Sequence, residues 1–208
     1  MCSRYELNAN PRQLARQFGL SADPALPNQA EIRPTDQGLI ITPQREGELR
    51  SWGIPAPWSG MGDGKPIFNA RAETLSRKAT FRPFLDNRCV VPATTFPEWR
   101  KDGKQRFKYR ISISGDTVAE PEIMAFAALF DASYYTVITC AAAPRMAPVH
   151  SRMPVILSPA AVAKWLDPDC EFQEAASVMV PYLGDDLRVE EDIALGIVAQ
   201  SSQADLFN

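Results

Sequence analysis

The chain begins Met1-Cys2, and a residue as small as cysteine at position 2 predicts that the initiator methionine is trimmed. The mature chain then starts with a 1,2-aminothiol, an α-amine and a thiol on adjacent carbons. No internal cysteine can do what this pair can: the amine condenses with an aldehyde to an imine, and the thiol closes a five-membered thiazolidine on the same carbon. Reference pKa values of about 7.7–8.0 for the amine and about 8.5 for the thiol keep a useful fraction of each nucleophilic near neutrality. Four further islands hold residues able to move protons, bind anions or stack: Trp52-Gly53-Ile54-Pro55-Ala56-Pro57-Trp58, Phe68-Asn69-Ala70-Arg71-Ala72-Glu73-Thr74, Phe96-Pro97-Glu98-Trp99, and Ala147-Pro148-Val149-His150-Ser151-Arg152-Met153-Pro154. His150 is the only histidine, which excludes a multi-histidine metal site.

Positioning these islands requires a core, and 208 residues that are 45% apolar and 23% charged suffice for one domain. Its expected extent is 1–195, with 196–208 a polar, disordered tail. Asn10-Pro11 reads as an N-cap and first helical residue, with Leu14 and Phe18 on one face and Gly19 as the stop. Strands are expected at 38–42, 49–53, 89–93, 106–113, 123–130, 134–141 and 153–157, and a strand end running into a short helix at 68–75. Ser158-Pro159 predicts a helix carrying Val162, Trp165 and Leu166, and a second helix spans 172–180. Several strands with peripheral helices and no regular βα alternation indicate an α+β fold around a mixed or antiparallel sheet, closing partly towards a barrel. Pro92 and Pro97 mark edges or bends; Trp52, Trp99 and Trp165 are assigned to the core.

Four widely spaced cysteines (Cys2, Cys89, Cys140, Cys170) form neither a zinc pattern nor a disulfide framework, and Cys89 and Cys140 read as buried hydrophobes. No apolar stretch approaches membrane-spanning length and the start lacks a signal pattern, so a cytoplasmic protein is expected. The net charge of −3 is unevenly spread. Residues 71–110 carry eleven Lys or Arg against four acids, and residues 165–208 carry one Arg against ten acids. The basic stretch reads either as a local phosphate-binding surface or as a solvated hairpin.

Met-Cys, Asn-Ala-Arg-x-Glu-Thr, Glu-Trp after a strand and His-x-Arg-Met-Pro, in this order, resemble the SRAP (SOS response-associated peptidase) family, from Cys2 to about Trp165. Members shield abasic sites in single-stranded DNA by cross-linking to them. The resemblance implies that the Cys2 amine attacks the ring-opened sugar aldehyde and that the thiol then closes a thiazolidine, which removes the electron sink that would break the strand. It implies proton transfer by Glu98 and His150, orientation of aldehyde or amine by Asn69, phosphate binding by Arg4, Arg71, Arg77 and Arg82, and base stacking or wedging by Trp58. It implies no cofactor and no metal, and a monomer acting on abasic single-stranded DNA without a membrane.

The chain departs from the family pattern at Ser3, where Gly is usual, at Pro97, where an aromatic is typical, and at Glu31, which puts a negative charge in place of an amide. Two other readings stay open. Cys2 can serve as the nucleophile of an N-terminal-nucleophile peptidase or amidohydrolase with His150 or Glu98 as base. Alternatively the chain is a non-covalent single-stranded DNA-binding module.

Overall fold

A computed structural model describes residues 2–56, 66–114 and 122–192. In chain order the strands are β1 (Tyr5–Glu6), β2 (Glu31–Ile32), β3 (Gln37–Ile41), β4 (Gly47–Trp52), β5 (Asn69–Arg71), β6 (Arg88–Ala93), β7 (Phe96–Asp102), β8 (Gln105–Ile113), β9 (Met124–Phe130), β10 (Tyr134–Ala141), β11 (Arg152–Pro154), β12 (Ile156–Leu157) and β13 (Leu187–Glu191). The helices are α1 (Pro11–Phe18), α2 (Pro159–Trp165) and α3 (Phe172–Ala175). None is long and apolar enough to cross a membrane.

Five strands close on themselves in the order β10-β4-β3-β6-β9 and back to β10. The closure is partial, because β3 meets β6 at the single pair Ile41↔Val90 and β4 meets β10 over only two pairs, Tyr134↔Ser51 and Tyr135↔Trp52. The expected α+β barrel-like sheet is therefore present. Pro92 fits within β6 because β3 has already left that side, and a missing N–H there costs no ladder bond. The two faces of this sheet bury Ile40, Val90, Phe126, Val137 and Ile138 completely, each contributing about 1.5–3 kcal/mol by leaving water. Asn10 caps α1 by accepting from the Gln13 N–H at 2.8 Å, and Gly19 ends it in the left-handed conformation, φ 64°, where a Cβ would be penalised.

The amino-terminal segment is threaded into this frame. Tyr5 pairs with Ile32 on one side, while on the other the Glu6 N–H donates to Thr95 O at 2.8 Å and the Thr94 N–H to Glu6 O at 2.7 Å. Tyr5 is the anchor. Its ring is fully buried, edge-on to Trp52 at 5.2 Å, and its hydroxyl meets that of Tyr135 at 2.7 Å, so the one polar atom carried into the core is satisfied. Gly38 makes room for this pair, since a Cβ there would lie 2.1 and 2.2 Å from the two hydroxyl oxygens.

A separate three-stranded ribbon, β13-β8-β7, was not anticipated at either edge. Pro97 lies in β7, an edge strand that pairs on one side only. β13 is acidic and reads as tail, yet it pairs with basic β8: Lys108 meets Asp192 at 2.6 Å, Glu190 lies opposite Arg110, and the Tyr109 hydroxyl donates to Glu191 at 3.2 Å. The two charge blocks of the sequence thus partly neutralise each other. The strand expected at 153–157 divides at Val155, whose N–H donates to Ile138 O and whose carbonyl accepts from the Ala127 N–H, so that β11 follows β10 and β12 follows β9. The helix expected at 172–180 is α3 followed by a 3-10 turn, Ala176–Val178. Trp52 and Trp165 are fully buried, but Trp99 is half-buried with the Arg4 guanidinium 5.2 Å above its ring. The tail 196–208 lies outside the described residues.

Candidate active site

Cys2 is buried, at 1% exposure, three residues before the Tyr5 anchor. Its thiol donates to the Arg4 carbonyl at 3.4 Å, and its own carbonyl accepts from Asn69 Nδ2 at 2.7 Å. Burial, and then the Glu98 carboxylate nearby, push the thiol up to about 12, because both penalise the thiolate. The thiol is therefore protonated at neutral pH. Glu98 sits on β7 opposite Tyr109 and is itself 4% exposed. The pairing of Glu6 with Thr94 and Thr95 brings Cys2 and Glu98 together although 96 positions separate them.

β10 organises the rest. Its first half closes the barrel, and its second half carries β5 on one edge, with Val137↔Asn69 and Thr139↔Arg71 in parallel register, and β11 on the other, with Thr139↔Pro154 and Ala141↔Arg152 antiparallel. The Asn-Ala-Arg and His-x-Arg-Met-Pro islands are thereby placed on either side of one strand. Arg152 reaches across it. Its guanidinium donates to both carboxylate oxygens of Glu73, at 2.6 and 3.0 Å, and to the carbonyl and hydroxyl of Thr139 at 2.6 and 3.2 Å. A bidentate fork of this kind fixes direction as well as distance. The same arginine holds Glu73 below the usual carboxylate range.

His150 is half-buried and shaped by the same residue. The Arg152 N–H donates to His150 Nδ1 at 3.0 Å, so in the neutral ring the proton sits on Nε2. The Arg152 carbonyl lies 3.1 Å from Nδ1, and can accept from it when the ring is charged. Asn69 donates to Cys2 through Nδ2, while its Oδ1 is buried and has no hydrogen-bond partner among the described residues.

The arginines divide. Arg71, Arg77 and Arg82 are exposed on β5 and the two 3-10 turns Ala72–Arg77 and Arg82–Phe84, beside the motif strand. Arg77 spends one donor on the Glu73 carbonyl at 3.0 Å. Arg4 is instead drawn to Glu31 at 3.5 Å, which also accepts from Arg33 Nε at 2.6 Å; Arg33 first, and Arg4 in addition, lower the Glu31 carboxyl. The departure at Glu31 is thus an acid clamped between two arginines, beside a candidate phosphate ligand. Trp58 lies outside the described residues.

Glu73, Thr139 and Arg152 were missed as members of the site. Glu73 and Arg152 stand inside the quoted motifs, so their spacing was visible, but that they face each other across β10 is set by sheet register. No three or more His, Cys, Asp or Glu side chains are grouped to hold a metal among the described residues.

A family model described as SOS response associated peptidase (SRAP) matches residues 1–192. The chain is 32% identical over 209 residues to the abasic site processing protein YoqW of Bacillus subtilis (strain 168), covering 90% of each chain. It is 29% identical over 230 residues to the abasic site processing protein YoaM of the same organism, covering 100% of this chain and 98% of the other. A crystal structure of a protein from Bacteroides thetaiotaomicron superposes with a TM-score of 0.79 at 25% identity, covering 91% of each chain.

Proposed function

As the chain belongs to the SOS response associated peptidase family, we propose that it processes abasic sites in single-stranded DNA by covalent attachment through Cys2 once Met1 has been removed, and so shields the lesion. The carrying observation is the convergence of Cys2, Asn69 and Glu98. The Asn69 amide grips the Cys2 carbonyl, and the Glu98 charge acts on the Cys2 thiol.

The uncharged α-amine adds to C1′ of the ring-opened sugar to give a carbinolamine. Loss of one water leaves the imine. Asn69 Oδ1, a buried acceptor without a partner among the described residues, receives a hydrogen bond from the amine or from the carbinolamine hydroxyl. The thiol then adds to the imine carbon; its proton leaves for Glu98 as the C–S bond forms, and Glu98 passes it to the ring nitrogen, so that a neutral thiazolidine results. Keeping the thiol protonated until the imine exists favours this order, amine first and sulfur second. It disfavours the peptidase reading, in which the sulfur must attack first as a thiolate. His150, when its ring is charged and Nδ1–H donates to the Arg152 carbonyl, gives its Nε2 proton to the opening sugar ring or the departing water. Arg71, Arg77 and Arg82 engage phosphates, as does Arg4 when it leaves Glu31. Stacking by Trp58 belongs to the same proposal.

The test uses an abasic oligonucleotide with wild type and Cys2→Ser. Wild type is expected to give an adduct that survives heating without a reductant, and Cys2→Ser, which keeps the amine, one that appears only after borohydride trapping of the imine. An equally heat-stable adduct from Cys2→Ser overturns the role of sulfur. Turnover of a peptide with no DNA adduct favours the peptidase.

A further inference from the structure

Outside the Cys2 site the structure contains a cavity of about 540 Å³ between the ribbon and the segment leading to His150. Arg100 and Tyr109 form one wall, Arg145 and Val149 a second, and Arg188 and Glu190 the β13 edge. Arg100, Arg145 and Arg188 thus border the cavity, with Glu190 the one carboxylate in its lining. Each wall adjoins a residue assigned to the chemistry, since Tyr109 lies opposite Glu98 in the β7–β8 register and Val149 precedes His150.

The wall of β7 and β8 is built for a flat ligand. The Arg100 guanidinium lies 4.6 Å from the Phe107 ring centroid and 5.9 Å from that of Tyr109, and Arg100 Nε is buried with no hydrogen-bond partner among the described residues. A buried donor held over aromatic rings without an acceptor is costly unless a ligand supplies one. The arginines are weakly committed elsewhere. Arg100 lies 3.7 Å from Asp102, Arg145 lies 3.8 Å from fully exposed Asp185, and Arg188 donates to the Asp185 backbone carbonyl at 3.1 Å. Exposed pairs at such distances yield readily to a phosphate that meets two guanidinium groups at once.

We propose that this cavity is a subsite for a nucleotide flanking the lesion in the same strand, its phosphate held by Arg145 and Arg188 and its base packed on Tyr109 beside the Arg100 guanidinium. The inference rests on the reading of function given above. An aromatic ring and cationic planes suit any base, so the subsite recognises strand continuation and carries no sequence preference.

The experiment measures the concentration for half-maximal adduct formation. It uses the protein beginning at Cys2 and oligonucleotides with one abasic site lengthened by one to four nucleotides on the 5′ side only or on the 3′ side only. For wild type, lengthening on one of the two sides is expected to lower that concentration about fivefold or more. In Arg145→Glu/Arg188→Glu, two exposed positions whose exchange leaves the core untouched, that gain is expected to vanish, while the effect of lengthening on the other side persists. Tyr109→Leu is expected to lose part of the same gain. Equal gains in wild type and in the double variant overturn the subsite. Absence of any adduct from wild type overturns the functional reading itself, and the subsite with it.

Discussion

At the scale of single residues, the burial of Cys2 has a thermodynamic consequence. A folded-state thiol pushed from its ordinary value near 9 up to about 12 binds its proton more tightly than the unfolded chain does. Its contribution to stability is complete below about pH 9 and is lost as the pH rises from there towards 12, because the unfolded state ionises first. Cys89 and Cys140 are shifted upward too, so the fall in alkali is shared. Denaturation midpoints followed from pH 8 to pH 11 should drop less steeply for Cys2→Ala than for wild type, and parallel curves would show that the thiol is not buried in solution. Glu31 offers the second prediction at this scale. Its carboxylate restrains Arg4, and exposed pairs of this kind are worth about 0–1 kcal/mol. Glu31→Gln should therefore tighten binding of abasic single-stranded DNA by up to about fivefold, measured by anisotropy in a Cys2→Ala background. Unchanged or weaker binding would contradict a phosphate role for Arg4.

At the scale of elements, β10 joins the two motif strands, and the Glu73–Arg152 fork locks them across it. Glu73→Gln removes the charge but keeps the shape. Since Arg152 also presents its backbone N–H to His150, loosening the fork should slow adduct formation roughly tenfold, in line with the sensitivity of positioned groups to small displacements. Overlaid circular dichroism spectra would show the fold intact, and an unaltered rate would show that the fork serves stability alone. The pH dependence has the same sign. Glu73 is held below the usual carboxylate range by Arg152, so the fork is complete above that range and is lost as the pH falls into the acid region. These strands were legible where apolar runs were continuous, as in 89–93 and 134–141, and where caps were explicit, as at Asn10 and Gly19. β7 and β13 were not, because a proline and a run of acids argue against strand locally. Both are rescued by β8, a partner that only tertiary pairing supplies.

For the whole molecule, the sequence resemblance pointed to Cys2, Asn69, Glu98 and His150, and the fold brings Asn69 and Glu98 to Cys2 and sets His150 just before β11, on the far edge of β10 from Asn69. The threaded segment carries Cys2 to β7, and β10 carries the other two. What the sequence could not convey was charge placement. The basic block at 71–110 suggested a broad anionic-ligand surface, yet β8 spends Lys108 and Arg110 on the acids of β13 and on Glu6. The exposed arginines at 71, 77 and 82 stay near the site. If these and Arg4 are the principal phosphate contacts, the logarithm of affinity should fall with the logarithm of salt at a slope of about −3, or about 50-fold between 50 and 200 mM. A slope near −7 would mean that the ribbon's other lysines and arginines, beyond the one flanking phosphate proposed above, bind DNA as well.

The central claim is tested most directly by intact mass. The protein, first confirmed by mass to begin at Cys2, is mixed with a single-stranded oligonucleotide carrying one abasic site and measured again beside Cys2→Ala. The predicted product has the summed mass of protein and oligonucleotide less one water, persists after heating, and is absent from the variant. No adduct from a chain that begins at Cys2, or an equal adduct from Cys2→Ala, contradicts the account.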